Sequence, residues 1–145
     1  MKVSIITDFL NSAATIRDTI DSVLSQTCND IENIIVDGAS SDGTSAIVSD
    51  YEEQISKIVS EKDKSIYDAM NKGVDLASGD VIGILNSDDV YATNHAIDDV
   101  VEELSAGDGI EALLGDVIFL ETTMQEEASG AIKRSCSSHG CFALD

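Results

Sequence analysis

Ser65-Ile66-Tyr67-Asp68-Ala69-Met70-Asn71-Lys72-Gly73-Val74-Asp75-Leu76-Ala77-Ser78-Gly79-Asp80-Val81-Ile82-Gly83-Ile84-Leu85-Asn86 contains the pattern that decides the fold. In its first part Ile66, Ala69, Met70, Gly73, Val74 and Ala77 recur at intervals of three and four, which predicts a helix over 65–78 with one apolar stripe. Gly79 stops that helix. The apolar run that follows, Val81–Asn86, is short and predicts a fourth strand.

The same alternation extends in both directions. Lys2–Thr7 reads as a first buried strand, and Ser12 as the cap of a helix that places Ile16, Ile20, Val23 and Leu24 on one face. Glu32–Asp37 is a second strand, followed by a turn of small residues over Gly38–Gly43. A helix from Thr44 to Gln54 and a short strand at Ile55–Ser60 precede the decisive helix. After it come an acidic amphipathic helix, Asn94–Ser105, and a fifth strand, Ala112–Leu120. One more strand is read near Ala131–Arg134. Strands separated by helices imply right-handed crossovers and an α/β fold with a doubly wound, mostly parallel sheet.

Composition narrows the function classes. The 145 residues suffice for one domain with a real core, given 43% apolar content. The net charge of −20, with only 8 Lys and Arg, excludes a nucleic-acid partner, because phosphate neutralisation needs cationic side chains. No apolar run approaches the roughly 20 residues that a membrane-spanning helix needs. The N-terminal run is too short for a signal peptide. Three scattered cysteines fit a reducing compartment, so a cytoplasmic protein is expected. The loop Asp37–Gly43 matches neither the dinucleotide fingerprint nor the phosphate loop of nucleotide triphosphatases. Cys136, His139 and Cys141 make an incidental trio rather than a zinc site.

In doubly wound sheets ligands bind beyond the carboxyl ends of the strands. Here the first four strand ends carry Asp8, Asp37, Glu61 with Asp63, and Asp88 with Asp89. Converging carboxylates without soft ligands suit a hard cation, Mg²⁺ or Mn²⁺. A receiver-type signalling domain also has acids at strand ends. It needs its acid pair after strand one and a lysine after strand five, and neither is present.

Five blocks resemble family 2 glycosyltransferases of the GT-A fold, in order and at the expected spacing from residue 3 to about 120. They are Ser4–Thr7 with Asn11 and Ser22–Thr27; Ile35–Thr44; Ser60–Gly73; Ala77–Asp80 with Leu85–Asp89, which contains a DxD-type motif; and Gly115-Asp116-Val117. The resemblance implies a Rossmann-like nucleotide-diphospho-sugar transferase core over 1–120. Residues 121–145 would begin an acceptor-side region that is incomplete. The implied activity is inverting, metal-dependent transfer of a sugar, from a donor such as a UDP-sugar, to a glycan or lipid-linked acceptor in polysaccharide assembly, with peripheral membrane association. It also implies roles. Thr7 lines the base pocket, Asp37 accepts from the pyrimidine ring N–H, Asp63 lies by the base or ribose, and Asn71 lies near the diphosphate. Asp88 ligates Mn²⁺ or Mg²⁺, and Asp89 assists directly or through water. The cation would bridge an acidic surface to an anionic donor.

The chain departs from the family pattern at several positions. Asp8 stands where proline is usual and brings a second carboxylate to the base site. Lys62 replaces a common proline, Ser65 a usual glycine, and Asn86 the first acid of the longer motif. The general base is expected beyond Asp145, with Asp116 a weak candidate inside the chain. The alternative is a nucleotide-sugar-binding module without transfer activity.

Overall fold

The computed structural model describes residues 1–106, 110–115, 117–118, 120–121 and 135–136. The chain divides into two compact units, Met1–Gly107 and Asp108–Asp145. In the first, strands and helices alternate: β1 (Val3–Phe9), α1 (Ile16–Leu24), β2 (Ile31–Asp37), α2 (Thr44–Ser49), β3 (Lys57–Ser60), α3 (Ile66–Leu76), β4 (Val81–Ile84) and α4 (Ala96–Ala106). The four strands form one parallel sheet in the order β3-β2-β1-β4.

Strand alternation divides the core between the two faces of this sheet. Phe9 and Ile35 pack with Ile16 and Ile20 of α1 and with Val48 of α2. Val3 and Ile5 pack with Val23 and with Ile97 of α4. On the opposite face Ile6, Ile34 and Val36 pack against Ala69 of α3. The doubly wound architecture read from the sequence is therefore the one observed.

Helix α3 lies very close to the sheet. A Cβ placed on Gly73 would sit 2.3 Å from Cγ2 of Ile6, a branched position that cannot swing away. Gly73→Ala is expected to destabilise the protein by about 2 kcal/mol, overpacking outweighing the gain in helix propensity. The check is a urea titration. The midpoint should fall at unchanged slope, and a higher midpoint would remove the packing argument.

At the amino end of the sheet, Glu32 is 5% exposed and gathers neighbours from several elements. It accepts hydrogen bonds from Ser4 Oγ at 2.7 Å, Ser78 N at 2.8 Å and Ser78 Oγ at 2.9 Å. Lys57 and Lys2 lie 2.9 and 3.2 Å from its Oε1. Lys57 above all, then Ser4, holds the Glu32 carboxyl below the usual carboxylate range, against the opposing effect of burial.

The structure departs from the sequence reading at several boundaries. Helix α1 begins at Ile16, too far along for Ser12 to cap it. The Ser12 hydroxyl instead meets Ser87 Oγ at 2.9 Å, and its carbonyl accepts from Thr15 N and Ile16 N. Helix α2 stops at Ser49, and β3 starts at Lys57. Residues 110–115 and 117–118 do not form the expected fifth strand, and Leu114 is 86% exposed. An apolar run has strand propensity, but it becomes a strand only where a partner accepts its backbone. In the second unit β5 (Leu120–Glu121) pairs antiparallel with β6 (Ser135–Cys136). The strand read near 131–134, Asp116, His139 and Cys141 lie outside the described residues.

Candidate functional site

The chain runs outward from β1 to β2 and β3, then returns to place β4 on the other side of β1. The strand order reverses between β1 and β4, and such a reversal opens a crevice at the carboxyl ends of the strands. A cleft of about 540 Å³ lies there. Asp8, Phe9, Leu10 and Ser12 line it from the end of β1, and Asn86, Ser87 and Asp88 from the end of β4. The segment 63–66, Ala69 of α3 and Gly38 complete the lining.

The loops around the cleft are tied together by hydrogen bonds. Asn11 adopts a left-handed backbone (φ 57°), and its Oδ1 accepts from Ser41 N at 2.8 Å. Asn11 N in turn donates to Ser40 Oγ at 2.9 Å. Asp42 accepts from Ala13 N and Thr44 N, each at 3.0 Å, and from the Thr44 hydroxyl. Ser65 caps α3 by accepting from Asp68 N, which fixes the start of the helix at the cleft wall. Lys72 lies 2.5 Å from Asp63 and 2.8 Å from Glu61, and this pairing raises its pKa while holding Asp63 in place. Gly38 allows the close approach, since a Cβ there would stand 3.0 Å from Asp63 Oδ2.

The residues singled out from the sequence are distributed unevenly around this cleft. Asp63 and Asp88 line it. Thr7 and Asp37 share the face of β1 and β2 that carries Phe9 and Ile35, and both are buried. Asp37 accepts from Ser40 N at 2.9 Å, Ser45 Oγ at 3.0 Å and Ser60 Oγ at 2.7 Å. Burial pushes its carboxyl upward, but hydrogen bonds led by Ser40 and Ser60 outweigh this and leave it below the ordinary value. Asn71 lies exposed on α3 and does not line the cleft. Asp89 closes the turn after β4, accepting from Asn86 Nδ2 at 2.8 Å.

Lys64 also lines the cleft, alongside three aspartates. Its place between Asp63 and the cap Ser65 was the only signal of this in the sequence. Asp8 is 6% exposed, and its Oδ1 has no hydrogen-bond partner among the described residues. Burial pushes the Asp8 carboxyl above its ordinary value. The strand backbone draws it down, and nearby Asp63 adds to the upward push.

The donor set fits a hard cation only in one way. Among the described residues no group of three His, Cys, Asp or Glu side chains is arranged to hold a metal. Asp88 does offer a carboxylate to the cleft. A small divalent cation is commonly held by one or two carboxylates together with substrate phosphates and water. The site therefore fits a cation that arrives with an anionic ligand.

The sequence profile described as "Glycosyl transferase family 2" matches residues 4–136. This chain belongs to that family. A PGL/p-HBAD biosynthesis glycosyltransferase of Mycobacterium bovis (strain BCG / Pasteur 1173P2) is 34% identical over 125 residues, covering 84% of this chain and 49% of the relative. The chain thus spans about half the length of this relative. The crystal structure of glucosyl-3-phosphoglycerate synthase from Mycobacterium tuberculosis, in complex with Mn²⁺, UDP and phosphoglyceric acid, superposes with a TM-score of 0.60 at 26% identity. That match covers 75% of this chain and 40% of the synthase. Staphylococcus aureus TarS 1-349, in complex with UDP-GlcNAc, gives 0.66 at 23% identity over 72% of this chain and 31% of TarS. The fold is the GT-A arrangement of this glycosyltransferase family, as the sequence implied. Among the described residues no helix is long and apolar enough to cross a membrane.

Proposed function

We propose that this chain forms the donor-binding part of an inverting glycosyltransferase that takes a nucleotide-diphospho-sugar, with a UDP-sugar the expected donor. The observation that supports this reading is the cleft at the β1–β4 switch point, where Asp88 and Asp63 enter from different strand ends. Mn²⁺ or Mg²⁺, bound with the donor, supplies charge stabilisation to the departing diphosphate.

The chain's own residues do the rest of the binding. Asp88 offers the carboxylate that holds the cation, with Asp89 bracing the turn behind it. Lys64 stands at the cleft as a cationic group for a phosphate oxygen. Asp63, fixed by Lys72, serves the ribose or base. Asn71, exposed on α3, serves the sugar diphosphate, and Thr7 and Asp37, both buried, brace the ends of β1 and β2. The acceptor is a glycan or lipid-linked hydroxyl, whose proton passes to a general base as the bond forms.

Calorimetry with UDP, with and without Mn²⁺, tests this reading. Affinity is expected to fall by about tenfold or more when EDTA replaces Mn²⁺, because the Asp88 carboxylate then faces the diphosphate unscreened. Equal binding in EDTA overturns the metal role. Absence of binding by UDP, GDP and CDP alike overturns the donor site.

A further inference from the structure

We propose that Asp8 is the residue that reads the nucleobase of the donor, its carboxylate accepting a hydrogen bond from a ring N–H. The proposal rests on the donor-site reading above and adds the residue that selects the base.

Strand alternation fixes the side to which each aspartate points. In β1 the side chains of Ile6 and Asp8 project to the face covered by α3, and Thr7 and Phe9 to the face covered by α1 and α2. In β2, Asp37 is in register with Phe9 and shares the face of Ile35. The two aspartates thus end adjacent strands but point to opposite sides of the sheet. Only Asp8 lines the cleft.

Their hydrogen bonding differs in the same sense. Asp37 has three donors already, Ser40 N, Ser45 Oγ and Ser60 Oγ. Asp8 Oδ1 is buried and without a partner among the described residues. A buried carboxylate oxygen with no donor is costly, and such costs are retained where a ligand removes them. A ligand seated in the cleft that Asp8 lines can supply that donor. Asp63 also lines the cleft, close enough to act on the Asp8 charge, and disfavours a ligand that brings further negative charge to this end. The neutral base therefore belongs at Asp8, and the diphosphate belongs towards Asp88 and Lys64.

A ring N–H is present in uracil and guanine and absent from cytosine, so UDP and CDP make the sharpest pair of probes. A hydrogen bond to a charged acceptor corresponds to about 10- to 150-fold in affinity. In calorimetry on the full chain with Mn²⁺, UDP is expected to bind at least about tenfold tighter than CDP. Asp8→Ala should bring the two within about threefold, mainly by weakening UDP. Asp8→Val, which suits a strand and removes the unpartnered carboxylate, should raise the thermal midpoint of the ligand-free protein while losing the same selectivity. Opposite signs for stability and selectivity distinguish a ligand-reading residue from a structural one. A UDP-to-CDP ratio unchanged in either variant overturns the proposal and leaves the donor site standing. A lower midpoint in both variants also overturns it, because Asp8 would then be holding the fold together. Failure of the parent to bind any nucleoside diphosphate overturns the donor-site reading itself.

Discussion

Asp88→Asn is expected to abolish the Mn²⁺-dependent part of UDP binding and to leave stability unchanged within about 0.5 kcal/mol. The two halves of this result follow from one position. Asp88 is exposed at the end of β4, so its carboxylate contributes little to the core. It is also the cleft carboxylate that the family resemblance assigns to a cation, which would screen the acidic cleft from the diphosphate and be worth about tenfold or more in affinity. An amide keeps the shape but loses the charge. Paired titrations of parent and variant, in Mn²⁺ and in EDTA, should show a large metal effect in the parent and almost none in the variant. A variant that binds like the parent removes the assignment.

Glu32→Gln is expected to produce the largest loss of stability, about 3 kcal/mol, without touching the cleft. Glu32 lies at the opposite end of the sheet, joining β1, β2, β3 and the turn after α3 through Ser4, Lys57 and Ser78. Neutralising it leaves Lys57 and Lys2 without their counter-charge. The sign of the pH dependence is fixed by the direction of the shift. The folded carboxyl is held below its ordinary value of 4.5, so its stabilisation is present above that value and is lost as pH falls towards the lowered one. A chain with net charge −20 also sheds self-repulsion on acidification, which changes parent and variant alike. The quantity to measure is therefore the stability difference between parent and Glu32→Gln in urea. It should be constant near neutrality and shrink below about pH 4.5. A difference that grows on acidification contradicts the pairing.

The doubly wound sheet was legible because its signals are local. The periodic stripe from Ile66 to Ala77, the stop at Gly79 and the apolar run from Val81 are each decided by near neighbours. The carboxylates at the strand ends were legible for the same reason. Facing was not legible. A one-residue difference in where β1 ends decides whether Asp8 is a loop residue or a strand residue with a defined side, and β1 runs on to Phe9. The engagement of Asp37 was also hidden, because Ser45 and Ser60 reach it from 8 and 23 residues away. The fifth strand failed where the reading relied on propensity alone, since nothing in Ala112–Leu120 itself says whether a partner edge is available.

The contact between Gly73 and Ile6 has a mechanical consequence for the cleft. Ser65, Ile66 and Ala69, which form one wall, ride on a helix seated against β1 with no room to move closer. That wall is a fixed jaw. The opposite wall, Asn86-Ser87-Asp88, belongs to a turn and is linked to the β1–α1 loop through the Ser12–Ser87 hydroxyl contact. Substitutions around Ser87 therefore change the opening without disturbing the seat of α3 on the sheet.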